Sequence, residues 1–323
     1  MSYYALVGDI GGTNARFALV KENSVELSHV EVLSCEDFVN FDQAVACYYD
    51  KVGVSPVARA CISFACPIGD DIKMTNNHWA FNVAAMQQQL GLKQFALLND
   101  FTAMAYGMLF IENDEKLLLQ AGSDKHLDNP RLVLGPGTGL GVSCLVPQTQ
   151  VDSAVSWQAV ATEGGHVSFA PVNELQVKIL VILQRKYQRV SVERILSGDG
   201  IVALYQAICE IKQAPASFDS AAQITGAAIA NEDALAVLAL EVFCEVLGAV
   251  TGDLVLAQGA RGGVYLCGGI PPRIQEFLLN SNFCVSMANK GRFNQYLSQV
   301  PVWLCDAKYP GLLGAAAALK IQG

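Results

Sequence analysis

At 323 residues, 52% of them hydrophobic, the chain can bury roughly three quarters of its unfolded surface, and its length suits two domains better than one core. A net charge of −9 without runs of like charge argues against a nucleic-acid partner, whose phosphates need clustered Lys and Arg, and suits a cytoplasmic protein with a locally neutralised site. Ten scattered cysteines with no C-x-x-C read as reduced, buried thiols rather than disulfides or a metal site, and no uncharged apolar run is long enough to span a membrane.

Residues 4–20 hold an apolar run, then two glycines, a threonine and an asparagine, then a second apolar run. Both flanks are strand-length, which predicts strand, tight turn, strand. A first strand beginning by about residue 4 leaves no space for a secretory leader. Neither the Walker string nor the dinucleotide fingerprint G-x-G-x-x-G occurs here. The hairpin instead offers backbone N–H groups over Gly8, Asp9, Ile10, Gly11, Gly12, Thr13 and Asn14, with the Thr13 and Asn14 side chains as further donors. Such a concave array suits phosphate oxygens. Asp9 would repel a bare phosphate. It makes sense with a divalent cation in between, since Mg²⁺ takes few protein ligands and keeps several waters. The plainer alternative is an ordinary hairpin with Asp9 as a turn former.

Residues 60–64 predict an apolar strand. Asn82 predicts the cap of a helix through Ala84, Met86 and Leu90 that Gly91 ends. Residues 95–98 predict a strand that delivers Asn99 and Asp100 to a helix over 101–109. Sites in α/β proteins lie outside the carboxyl ends of strands. An Asp there can take a proton from a substrate hydroxyl, and an Asn can donate to and accept from a neighbouring one. A helix cap is the alternative for the pair, and a helix N-terminus keeps Asp100 ionised, which weakens it as a base. Residues 111–130 read as polar and irregular, a domain crossover.

Residues 132–146 repeat the grammar of the first hairpin, with Gly137, Thr138 and Gly139 between apolar strands. Two such hairpins predict a duplicated architecture with one phosphate turn in each half. Glu163 and His166 flank two glycines that allow close backbone approach, and a carboxylate with an imidazole suits vicinal hydroxyls. A polar surface turn explains them as well, and zinc is rejected because no Cys or His cluster follows. A helix is expected near 175–186. Glu193 precedes another helix, where it could serve the helix dipole instead. Residues 233–258 predict a long apolar helix that must be buried. Residues 263–270 predict a strand ending in Gly268 and Gly269, which either terminate it or let a flat ring approach the backbone. A strand at 300–304 and a helix at 310–319 follow. His29, His78 and His126 read as structural or exposed. The mixture implies α/β architecture with largely covered sheets.

Taken in order, Asp9-Ile10-Gly11-Gly12-Thr13-Asn14, Asn99-Asp100, Gly137-Thr138-Gly139-Leu140-Gly141, Glu163-Gly164-Gly165-His166, Leu196-Ser197-Gly198, Gly268-Gly269-Ile270 and Pro310-Gly311-Leu312-Leu313-Gly314 resemble the bacterial glucokinase family. That family lies in the actin-like, hexokinase-like ATPase superfamily, and the likeness spans essentially the whole chain. It implies two RNase-H-like α/β domains around a central cleft, the smaller from residues 1–110 plus 301–323 and the larger from 111–300. It further implies transfer of phosphate from ATP to the 6-hydroxyl of glucose with Mg²⁺, in a cytoplasmic enzyme and a homodimer, with no nucleic-acid or membrane partner. By motif match, Asp100 resembles the catalytic base. Asn99, Glu163, His166 and Glu193 resemble the residues on the other sugar hydroxyls. Residues Gly8 to Asn14 resemble the first phosphate hairpin, with Asp9 reaching Mg²⁺ through water, and Gly137 and Thr138 resemble the second. Gly268 and Gly269 would lie near the adenine. The related repressor-ORF-kinase group carries a zinc-binding cysteine cluster after its E-x-G-H motif; here Val167-Ser168-Phe169-Ala170-Pro171 follows instead. A kinase of another hexose or amino-sugar, and a non-catalytic actin-like nucleotide-binding protein, are the competing readings.

Overall fold

The computed structural model describes residues 4–149 and 155–322. In chain order the first stretch forms β1 (Tyr4–Ile10), β2 (Asn14–Lys21), β3 (Ser28–Ser34), α1 (Phe41–Val52), β4 (Arg59–Phe64), β5 (Asp71–Lys73), β6 (Ala80–Asn82), α2 (Val83–Gln89), β7 (Gln94–Asn99) and α3 (Asp100–Gly107). The middle forms β8 (Lys116–Gln120), β9 (Arg131–Pro136), β10 (Leu140–Thr149), β11 (Val155–Thr162), α4 (Glu174–Tyr187), α5 (Gly198–Lys212), α6 (Ala221–Ile229) and α7 (Ala234–Gln258). Then come β12 (Gly263–Leu266), α8 (Gln275–Leu279), α9 (Phe283–Ala288), α10 (Asn294–Ser298), β13 (Val302–Cys305) and α11 (Pro310–Gln322). The backbone divides into one unit of residues 1–112, 157–161 and 307–323, and a second of 113–156 and 162–306.

The first unit holds a sheet in the order β3-β2-β1-β4-β7. The expected hairpin sets β1 antiparallel to β2, while β1, β4 and β7 run parallel. Side chains alternate across a strand, so Leu6, Ile10, Phe17, Ile62 and Phe64 share one face. They pack into an aromatic core with Phe41, Tyr48 and Trp79, all at most 1% exposed. Asp9 and Ser63 fall on the other face, where α11 packs on β1 and β4 and crosses α3.

That crossing depends on glycine. A Cβ on Gly107 would meet the carbonyl oxygen of Pro310, and one on Gly314 would overlap the carbonyl oxygen of Ala103. The opposing atoms are helix backbone and cannot turn aside. Gly314→Ala is therefore expected to cost about 1–3 kcal/mol, the usual range for overpacking, read as a lower denaturant midpoint. An unchanged midpoint would mean the helices pack differently.

The second unit's sheet holds β10, β9, β12, β13 and β8 in that order. It repeats the plan of the first: an antiparallel hairpin, β9 and β10, followed by strands parallel to β9. The stretch 111–130 is not wholly irregular. β8 forms there as an edge strand antiparallel to β13, and its five residues are too few to show a period among polar flanks. The switch back to the first unit comes at Ala307 rather than 301, because β13 is hydrogen-bonded into the second unit's sheet. Residues 1–3 and 323, at the ends of the expected small domain, lie outside the described residues.

Asp233 caps α7, its carboxylate accepting from Ala236 N–H at 2.7 Å. The helix is long and apolar enough to cross a membrane, yet 67% of its most apolar stretch is buried in the second unit's core. Eight of the ten cysteines are buried and two half-buried, all as free thiols.

Candidate active site

In the first unit the candidates gather at one end of the sheet. The register sets Asp9 beside Ser63 and Phe64 beside Asn99, so the tips of β1 and β7 are separated only by β4. Asp9 is mostly enclosed. The Ser63 hydroxyl donates to its Oδ1 at 3.0 Å, and Arg16, opposite it on β2, donates to Oδ2 at 3.3 Å. Burial raises the Asp9 pKa, and Arg16 and Ser63 partly offset this.

Asp100 opens α3. Burial lifts its pKa to about 6; the Phe101 N–H lowers it and the neighbouring Asp9 charge raises it further. The Phe101 N–H is shared, donating to Asp100 Oδ1 at 2.9 Å as well as to the residue before Asp100. Asn99 is the N-cap, its side-chain oxygen accepting from Phe101 N–H at 3.0 Å and Thr102 N–H at 3.4 Å. Asp100 is thus not needed as the cap.

Two residues of the expected phosphate hairpin serve the scaffold instead. Gly8 and Ile10 are buried and paired with both β2 and β4, and a Cβ on Gly8 would collide with Ile62 at 2.8 Å. Within the turn, Gly11 N–H is taken by the Asn14 carbonyl at 2.9 Å. Gly12 and Thr13 carry the remaining turn N–H groups, and the Thr13 side chain is exposed. Among the described residues no three His, Cys, Asp or Glu side chains gather as a metal cage. A cation here would rest on a single carboxylate and take most of its shell from water and phosphate, the habit of Mg²⁺.

In the second unit Gly137 and Thr138 follow β9, and Gly268 and Gly269 follow the adjacent parallel strand β12. Ile270 N–H donates to the Pro136 carbonyl at 3.2 Å. Gly268 has φ +83°, and a Cβ there would lie 2.6 Å from the Pro136 oxygen, so the Gly268-Gly269 turn packs edge to edge with the turn at Gly137. Thr138, like Thr13, is exposed at its turn. Glu163 and His166 bracket a 3-10 turn, Gly164–His166, with Glu163 Oε2 3.8 Å from His166 Nε2. Both side chains are largely exposed. Glu193 sits in a second 3-10 turn, Val192–Arg194, and its Oε2 accepts from Leu140 N–H at 2.9 Å. These three candidates and the 137–141 turn therefore share one neighbourhood.

The family model for glucokinase matches residues 6–322. The chain belongs to the glucokinase family. A glucokinase of Hahella chejuensis is 51% identical over 99% of this chain and 98% of its own, and one of Marinobacter nauticus is 47% identical over 98% and 97%. The crystal structure of a glucokinase from an Antarctic psychrotroph is 36% identical, covers 99% of both chains and superposes with a TM-score of 0.87. The duplicated sheets are those of the actin-like ATPase fold.

Several residues around this family member's site escaped the sequence reading. Arg16 was recoverable, since a tight antiparallel hairpin puts Asp9 opposite it. Ser63 was not. A Cβ on Gly311 would lie 2.7 Å from Asp9 Cγ, which explains the glycine after Pro310. His78 and His126 do have partners: His78 Nε2 contacts the Phe38 carbonyl at 2.9 Å, and His126 contacts Arg261.

Proposed function

We propose that this chain transfers the γ-phosphoryl group of ATP to the 6-hydroxyl of glucose, giving glucose 6-phosphate and ADP, with the two units as its two domains. The observation that carries the reading is Asp100: a carboxylate at the tip of β7, held out of water one strand away from a glycine-threonine turn. Phosphoryl transfer has a loose transition state, so a kinase works mainly by positioning and charge stabilisation. Asp100 accepts the proton of the 6-hydroxyl as it attacks. Asn99, Glu163, His166 and Glu193 hold the remaining hydroxyls and orient the sugar. The turn at 11–14, together with Gly137 and Thr138, cradles phosphate oxygens with N–H groups and with the Thr13 and Thr138 hydroxyls, and Gly268 and Gly269 leave space for the adenine. Asp9 holds Mg²⁺ through water. Bound Mg²⁺ supplies positive charge against the charge on the β- and γ-phosphates. Buried free thiols fit a reducing compartment, and the proposal places the enzyme in the cytoplasm as a homodimer.

The test is ADP release in a coupled assay over a panel of hexoses and amino-sugars, with and without chelator. Glucose is expected to give the highest kcat/KM, and activity is expected to vanish with excess chelator and return with Mg²⁺ alone. A better amino-sugar or a different hexose would move the substrate assignment, and full activity without divalent metal would remove the role of Asp9.

A further inference from the structure

Glu193 divides its carboxylate. Oε2 is held by Leu140 N–H at 2.9 Å, while Oε1 has no protein partner among the described residues. The peptide group that holds it lies in the second phosphate turn. That turn is itself braced, Gly137 N–H donating to the Gly139 carbonyl at 2.8 Å and Gly198 N–H to the Gly137 carbonyl at 2.9 Å. The turn carrying Glu193 is equally fixed, because Val192, Ile195 and Leu196 are at most 1% exposed.

Gly139 sets how close this approach is. A Cβ built on it would have Glu193 for its three nearest atoms: Oε2 at 2.5 Å, Cδ at 3.2 Å and Cγ at 3.9 Å. The backbone of Gly139 is outside the left-handed region, so alanine is conformationally acceptable there. The glycine is needed for the neighbour, not for the turn. We infer that Gly139 is a positioning residue for sugar recognition: its bare backbone lets the Leu140 N–H hold one oxygen of Glu193, and so aims the other at a glucose hydroxyl. The inference rests on the proposed reading of Glu193 as a sugar ligand. It makes one residue of a phosphate turn a determinant of glucose affinity.

The experiment measures glucose Kd by calorimetry and KM for ATP in wild type, Gly139→Ala, Glu193→Ala and the double variant. Glu193→Ala is expected to weaken glucose by about 10- to 100-fold, the range for losing a hydrogen bond to a charged group. Gly139→Ala is expected to weaken glucose by about tenfold while KM for ATP stays within about twofold. In the double variant the alanine has no carboxylate to displace, so it should add nothing to Glu193→Ala. Additive losses, an unaffected glucose Kd in Gly139→Ala, or a raised KM for ATP with glucose binding intact would overturn the inference while leaving Glu193 in the sugar site. An unchanged glucose Kd in Glu193→Ala would instead overturn the sugar-ligand reading beneath it.

Discussion

Asp100→Asn is expected to fold, to bind glucose and ATP, and to lose about 10²–10⁴-fold in turnover, the span of a positioned general base. The substitution keeps shape and removes the negative charge. Capping does not confuse the result, because Asn99 carries the helix cap. The wild-type pH profile gives a second reading of the same group. With the Asp100 pKa lifted to about 6 by burial, kcat/KM should fall on the acid side around pH 6 as the base becomes protonated, and the variant should lack that limb. Stability moves the opposite way. A carboxyl whose folded pKa lies above its ordinary value of 3.8 binds its proton more tightly when folded. The native state therefore loses stability as pH rises from about 4 through about 6, by up to about 3 kcal/mol. Asp100→Asn removes that cost, so at pH 8 it should melt at or above the wild-type temperature, with the difference fading at pH 4. Near-normal turnover in a folded variant would falsify the assignment of the base and favour a non-catalytic nucleotide-binding protein.

Glu163→Gln is expected to weaken glucose by about 10- to 100-fold, because a charged acceptor is replaced by a neutral one. The backbone around Glu163 is pinned: Thr162 Oγ1 donates to the Val142 carbonyl at 2.8 Å and His166 N–H to the Glu163 carbonyl at 2.9 Å. Its side chain is 70% exposed and, among the described residues, its carboxylate pairs only with His166, at 3.8 Å. An exposed pair at that distance contributes little to stability, so the melting temperature should hold. KM for ATP should also hold. Isothermal titration with glucose and steady-state kinetics in ATP on one preparation separate the outcomes. If glucose affinity is untouched and ATP affinity falls, Glu163 belongs to the nucleotide side.

The sequence by itself determined the elements that local chemistry dictates. Glycines and a threonine between strand-length apolar runs made both hairpins legible. Asn82, Asn99 and Asp233 stand where caps form, and α7 is too apolar to be anything but interior in a folded domain. The ordered motifs pointed to the family that the comparisons show. Interactions between segments far apart in sequence stayed hidden. β8 is held by β13, nearly two hundred residues away, so nothing local announced it. Gly8 and Ile10 read as part of a phosphate turn, yet two neighbouring strands claim them for the core. Ser63 reaches Asp9 only because β4 lies parallel to β1 in one register, and Gly139 matters only because Glu193 folds back onto Leu140. Local propensity and hydrogen-bonding capacity are properties of a few adjacent residues. Which carboxylate is buried, and which glycine makes way for it, is decided by packing that the folded chain alone creates.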